Sequence, residues 1–448
     1  MPLSEALDVQ SVRTVPGGGG WQVPLPGDPD AVASRAVQQY ERYAGAALAR
    51  LMRFMGLCTL EWEAHGAVVR DAHGREYVDC GGYGVFFHGH SHPAVVEAVC
   101  RQATRLAQST RLLPHQPQAE LAERLAEVTP GDLRYTFFCN SGAEAVEGAL
   151  KLARAATGRV EVIATHGAFH GKTFGALTAS GKDLYRDPFL PLVGGFRHVP
   201  YGDAGLLGAA ADTAAVAPGG LAAIILEPVQ GEAGVIVPPD GYLAAARATC
   251  DRHGALLILD EVQTGIGRTG TMFACGPAGV VPDILATAKS LGGGVMPIGA
   301  FTARPGCWQV FDENPFLHTS TFGGGPLACA AGVAALAAIA AEGLLERAVA
   351  LGRRLEQGLG EVARRYPEAI AAVRGRGLLW GIEMRTEGAG GFLLSRLIDD
   401  GVLVVHSLNQ PRVVRVMPPA VMTADQLDFV LQAIDTAAAA AAGVAADM

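Results

Sequence analysis

Lysine is almost missing from this chain. Of its 35 Lys and Arg residues, only four are lysines: Lys151, Lys172, Lys182 and Lys289. Arginine keeps its proton under ordinary conditions and cannot serve as a nucleophilic amine. Lysine can, once burial or a cationic neighbour lowers its pKa. A lysine retained in the glycine-rich turn ATAKSLGGG, residues 286–294, therefore hints at amine chemistry. Charge as a whole is also sparse, at 18% of residues, and what remains leans acidic, with a net charge of −9 and a pI near 5.8. That balance argues against a nucleic-acid groove or an anionic membrane surface as partner. No uncharged apolar run reaches the length of about eighteen residues expected of a membrane span. The opening MPLSEALDVQSVRTVPGGGG lacks a basic start followed by an apolar core, so it is not read as a signal peptide. The eight cysteines (58, 80, 100, 139, 250, 275, 307 and 329) form no CxxC pair. Neither a zinc site nor a disulfide framework is expected, and the cytoplasm is the expected compartment.

What the chain has is length and apolar mass. It runs to 448 residues, half of them hydrophobic, with a mean hydropathy of +0.24. That is enough for two or three lobes with a large core, and for surface buried between subunits. Residues 1–27 are rich in Gly and Pro and read as a loose arm. Asp28-Pro29 then opens a helical pattern, Asp as N-cap and Pro at the first helical position. In the stretch that follows, Tyr40, Tyr43, Ala47, Leu51 and Phe54 fall on one face. TLEWEAHGAVVRDAHGREYVDC alternates like two or three antiparallel strands with a turn at AHGRE.

The middle of the chain changes character. RYTFFC, VEVIAT, LAAIILEP, ALLILDE and DILATA are short apolar runs separated by helix-length segments. Continuous apolar strands alternating with helices predict a parallel sheet covered on both faces. From about residue 331 a single long Ala/Leu helix is expected through VARR. GLLWGIEM, GVLVVHS and RVVRVMPP follow as strands, and a last helix begins near Thr423, its alanine-rich tail fraying. The expected organisation is an arm (1–27), a first part of a small domain (28–85), a large α/β domain (86–330) and the rest of a small α+β domain (331–448), made from both chain ends.

Three motifs fall at expected strand ends, where open parallel sheets bind ligands. In FFCNSGAEAVEGALKLA, Ser141 and Glu144 form a capping box, so a helix starts at Gly142 and its free N–H groups suit a phosphate. In LILDEVQTGIGRTG, Asp260 ends an apolar strand, where a lone carboxylate is costly unless it meets a cation such as a protonated ring nitrogen. Lys289 lies just past DILATA, on a neighbouring strand end. Lys151 and Lys182 read as solvent-seeking lysines, and Lys172, in AFHGKT, as a supporting residue at most.

The ordered set NSGAEA, AFHGKT, ILEPVQGEAGV, LDEVQTGIGRTG, AKSLGGG and TSTFGGG resembles the class III aminotransferases, pyridoxal 5′-phosphate (PLP) enzymes of fold type I, over roughly residues 40–440. Within that family, FFCNSGAEAVEGALKLA, GFRHVPYGD, GGGVMPIGA and NPFLHTSTFGGG look most like the branch containing the bacterial putrescine aminotransferases. The resemblance implies a large domain with a mainly parallel sheet covered by helices, and a homodimer with its active site at the subunit interface. It implies that Lys289 carries PLP as a Schiff base and that Asp260 pairs with the pyridine nitrogen. Phe169 and Val262 would sandwich the ring, with His170 and Glu227 nearby and Gln263 on its phenolic oxygen. Ser141, Gly142 and Ala143 would hold the phosphate, joined by Thr321 from the partner subunit. Arg415 matches the family arginine that grips a substrate carboxylate, and Glu232 the acid that pairs with it when an amine without a carboxylate enters. Tyr83, in GGYG, lies where the family lines its donor pocket.

The implied reaction moves an amino group between a primary amine, such as a diamine or ω-amino compound, and a keto acid such as 2-oxoglutarate or pyruvate, with ping-pong kinetics. Two alternatives stay open: amination of an oxo-sugar-type carbonyl with glutamate as donor, or a mutase or epimerase reaction on the same scaffold. A PLP-sensing regulator is disfavoured, because the short acidic-to-neutral arm offers neither a helix-turn-helix nor a basic patch. The chain departs from the family in reading Gly323-Gly324-Gly325-Pro326 where relatives read GGNPL. The histidines of FHGHSHP (88, 90 and 92) align with a family GH-x-HP turn, so no metal is expected.

Overall fold

The computed structural model describes residues 15–47, 49–50 and 59–446. Asp28 caps the first helix, Pro29–Gln39, by accepting from Ala31 N at 2.9 Å. The helix expected to carry an apolar face beyond it is interrupted. The helix passes through a π-turn, Tyr40–Ala44, and ends at Gly45, whose φ of 138° cannot propagate a helix. Tyr40 and Tyr43 are exposed there. Leu51 and Phe54 lie outside the described residues.

The strands β1 (Glu61–His65), β2 (Val68–Asp71) and β3 (Glu76–Asp79) form the expected antiparallel ribbon. A seven-stranded sheet follows, from β4 (Tyr135–Cys139), β5 (Glu161–Thr165), β6 (Phe196–Val199), β7 (Leu221–Leu226), β8 (Leu256–Asp260), β9 (Ile284–Thr287) and β10 (Gly299–Ala303). Its order is β4-β10-β9-β8-β7-β5-β6. Only β10 runs against its neighbours, so the sheet is mixed but mainly parallel. Its apolar runs are continuous because both faces are covered. Along β7, Ile224 and Leu226 enter one core cluster, while Ala223 and Ile225 enter another. Helix Gly142–Thr157 packs against β7–β10, and helices Ala204–Ala215 and Tyr242–His253 against β5–β8.

The C-terminal part holds β11 (Ile370–Arg376), β12 (Leu379–Met384), β13 (Val402–Leu403), β14 (Val405–Ser407) and β15 (Gln410–Val416). β13 pairs in parallel with β3, tying the two ends of the chain together, and the others form a sheet in the order β11-β12-β15-β14. The single long helix expected from residue 331 is instead two helices, Pro326–Ala341 and Leu344–Arg365, meeting at 67°. Gly343, at φ 59°, makes the corner. The last helix, Ala424–Ala446, starts with a reciprocal cap: Gln426 N donates to Thr423 Oγ1 at 3.2 Å, and Thr423 N to Gln426 Oε1 at 3.0 Å. Its alanine tail does not fray within the described residues, since Ala437, Ala438, Ala441 and Ala442 are buried in the core. Among the described residues no single helix is long and apolar enough to cross a membrane.

Candidate active site

The carboxyl ends of β4, β5, β7, β8 and β9 converge on one cavity of about 570 Å³. Ser141, Gly142, Ala143, Phe169, His170, Glu227, Glu232, Asp260, Val262, Gln263 and Lys289 all line it. Residues from five separate segments of sequence thus meet in one place.

Ser141 follows β4 and caps helix Gly142–Thr157, its Oγ accepting from Glu144 N at 3.2 Å. The expected capping box closes one residue early. Glu144 Oε2 takes Asn140 N at 2.8 Å and Asn140 Nδ2 at 2.9 Å, rather than the N–H of Ser141. The N–H groups of Gly142 and Ala143, in the first turn, have no acceptor within the helix, and both residues line the cavity, so they are available to an anion. Gly142 is required by close packing: a Cβ there would lie 2.7 Å from Val262 Cγ1.

Asp260 is the last residue of β8 and is 4% exposed. Its carboxylate accepts from Val262 N at 3.0 Å and from His170 Nδ1 at 2.7 Å. Burial alone would depress the His170 pKa, but the hydrogen bond and charge of Asp260, with help from Glu227, raise it above the ordinary value. Glu227, just past β7, accepts from Phe169 N at 2.9 Å and Gly231 N at 3.2 Å. Desolvation pushes its carboxyl up to about 7.

Lys289 follows β9 beside Asp260, whose strand is in register with it through the pair Asp260 and Ala286. Its φ of 47° is unusual for a residue with a side chain and marks a backbone held by its surroundings. Burial lowers the pKa of its ammonium group; the charge of Glu232 opposes this and that of Arg415 adds to it. With the Gln263 amide oxygen turned toward the cations, it accepts from Lys289 Nζ at 3.1 Å and from Arg415 Nη1 at 3.2 Å. Arg415, on β15, is fully buried and pairs with Glu232 at 2.7 Å.

Tyr83 and Thr321 stand apart from these residues. Tyr83 is 53% exposed and does not line the cavity; Val85 and Phe86, after the same glycine run, do. Gly82, Tyr83 and Gly84 all adopt positive φ, which swings the tyrosine outward. Thr321 is exposed and also lies outside the lining. Gly325 is the N-cap of helix Pro326–Ala341, with no side chain to accept a first-turn N–H. Lys172 lines the cavity, and its Nζ sits 4.0 Å over the Tyr185 ring. Lys172 thus lies at the site as its neighbours Phe169 and His170 imply, whereas no local pattern marks Val85 or Phe86. Each histidine of FHGHSHP has its own partner: His88 bonds Ala335 O at 3.0 Å, His90 pairs with Asp79 at 2.8 Å, and His92 with Glu342 at 3.0 Å.

The lining fits PLP group by group. It offers an anion-binding helix start, a buried carboxylate for a ring cation, two apolar side chains for the ring faces, and an amine of lowered pKa for the aldehyde. Fold and site together define a PLP-dependent enzyme of fold type I. The family model described as Aminotransferase class-III matches residues 56–438, and the chain belongs to that family. It is a PLP-dependent aminotransferase. The ornithine aminotransferase of Toxoplasma gondii ME49 aligns at 35% identity over 85% of this chain and 90% of its own, with a TM-score of 0.80. Another structure of that enzyme has PLP at partial occupancy in its active site. An (S)-enantioselective omega-transaminase from Thermomicrobium roseum aligns at 33% identity, covering 86% and 93%, with a TM-score of 0.79. The acetylornithine aminotransferase of Elizabethkingia anophelis aligns at 31%, covering 91% and 99%, with a TM-score of 0.77.

Proposed function

We propose that this enzyme transfers the amino group of a diamine or ω-amino compound to a keto acid such as 2-oxoglutarate or pyruvate, in two half-reactions of a ping-pong cycle. The observation that carries this is the buried pair of Arg415 and Glu232 beside Lys289. A free Arg415 recognises a carboxylate through two parallel hydrogen bonds. Covered by Glu232, it presents a neutral wall to an amine that has none. One cavity can then take two dissimilar substrates in turn.

PLP supplies, when bound, the carbonyl that receives the amino group and a conjugated ring that accepts the electron pair released at the substrate carbon. Lys289 would hold it covalently, Asp260 would hold its ring nitrogen protonated, and the start of helix Gly142–Thr157 its phosphate. Phe169 and Val262 would cover the ring faces, and Gln263 would bond its phenolic oxygen. Burial and Arg415 lower the pKa of Lys289, so its Nζ has access to the neutral form. That form can take a proton from the substrate carbon and return it, as a general base and then a general acid. His170 donates to Asp260 and would keep the carboxylate oriented for the ring nitrogen.

The exposed Thr321 would complete the phosphate site of a second copy, which makes the working unit a homodimer. The seven cysteines among the described residues are all free, in keeping with a cytoplasmic enzyme. The test is to add amines singly to the yellow holoenzyme and follow its visible absorbance. A diamine that discharges the colour, restored by 2-oxoglutarate or pyruvate, supports the assignment. No discharge with any amine would favour a mutase or epimerase.

A further inference from the structure

Glu232 is held at both carboxylate oxygens. Oε1 pairs with Arg415 Nη1 at 2.7 Å, while Oε2 accepts from Leu408 N at 2.9 Å. Leu408 and Asn409 form the two-residue turn between β14 and β15, closed by the Ser407–Gln410 pair, on the same hairpin that carries Arg415. Asn409 N also donates to the Glu232 main-chain oxygen at 3.0 Å.

This turn is pinned from the other side by the large domain. Tyr185 Oη donates to Leu408 O at 2.9 Å, and Lys182 Nζ to Asn409 O at 3.1 Å. Asn409 Nδ2 reaches Gly167 O at 2.7 Å. The Tyr185 ring lies beneath the Lys172 ammonium, so two of the scarce lysines serve the same turn.

We infer that the Leu408–Asn409 turn, pinned by Tyr185 and Lys182, is a latch that holds Glu232 on Arg415 and sets the enzyme's preference between substrates with and without a carboxylate. The inference rests on the assignment of Arg415 as the carboxylate site. A carboxylate whose two oxygens are held by separate groups does not leave one without loosening the other. A substrate carboxylate reaches Arg415 only when Glu232 withdraws, and withdrawal breaks the charge-assisted bond from Leu408 N as well. Leu408, Tyr185 and Lys182 are positioning residues that act through Glu232.

The test uses the holoenzyme and glutarate, an unreactive dicarboxylate, titrated by calorimetry. Leu408→Pro deletes the N–H donor. Neither Leu408 nor Asn409 has a positive φ, and Ser407 ahead of the proline is in a strand, the extended backbone a residue before proline prefers. Tyr185→Phe loosens the turn from outside, and covers the case in which the proline variant does not fold. In Leu408→Pro glutarate should bind about tenfold tighter, and in Tyr185→Phe to a lesser degree. The ratio of kcat/KM for 2-oxoglutarate to that for putrescine should rise in both. A merely structural role would depress both substrates together. Unchanged or weaker glutarate binding in the folded variants, with Arg415→Gln abolishing it, overturns the latch and leaves the carboxylate site standing. Full glutarate binding in Arg415→Gln overturns both.

Discussion

Asparagine at position 260 would change one charge and almost no shape. Its Oδ1 can still accept from Val262 N, as Asp260 Oδ1 does now at 3.0 Å. The second carboxylate oxygen, 2.7 Å from His170 Nδ1, becomes an NH₂, and His170 must present a lone pair there. The site would then lack the anion proposed to face the ring nitrogen of PLP. A hydrogen bond to a charged partner contributes about 1.5–3 kcal/mol, so PLP affinity should fall about 10- to 100-fold. The rate should fall by at least about 100-fold, because the lost charge acts where charge develops in the reaction. The pKa of His170 should fall, since burial pushes that group down and only the charge of Glu227 is left to oppose it. The assay is absorbance titration of the apoenzyme with PLP, followed by single-turnover kinetics at saturating cofactor. Affinity and rate unchanged in a variant of unchanged melting temperature would refute the reasoning.

Other expectations follow from burial. Glu227 is raised from an ordinary 4.5 to about 7, mainly by desolvation, with His170 pulling the other way. The folded state therefore holds a proton that the unfolded chain releases. The stability tied to Glu227 is full below about 4.5 and is lost as pH rises through about 7. Glu227→Gln should flatten that decline in melts of the apoenzyme, and an identical slope in both proteins contradicts the shift. Gly148→Ala tests the packing of helix Gly142–Thr157 on β10. Its Cβ would lie 2.1 Å from Phe301 Cε1, an overpacking that costs about 1–3 kcal/mol. The variant should melt a few degrees lower; melting at or above wild type would show that the helix has room to move.

The sequence was most legible where physics is local. Apolar runs such as LAAIIL and LLILD, too short for helices and alternating with helix-length segments, read as strands buried on both faces, and the polar residues at their ends mark the cavity. β6 (FRHV) and β10 (GAFTA) were missed, because one is half polar and the other is built from small residues; only pairing partners distant in sequence make them strands. The corner at Gly343 was hidden because a single glycine in an alanine-rich run costs a helix little until tertiary packing selects its left-handed conformation. Motifs located Lys289 and Asp260, but not the chain of contacts from Lys172 through Tyr185 and Leu408 to Glu232. Those residues are joined only by the docking of the β14–β15 hairpin on the large domain. The glycine run points to Tyr83 for the cavity wall, yet the positive φ angles turn that wall over to Val85 and Phe86.

The proposed chemistry requires that one amine among four lysines carry the cofactor. Borohydride reduction of the purified yellow enzyme, followed by peptide mass spectrometry, fixes PLP to whichever lysine holds it. A single modified peptide is expected, labelled at Lys289. Label on Lys151, Lys172 or Lys182, or on no lysine at all, would contradict it.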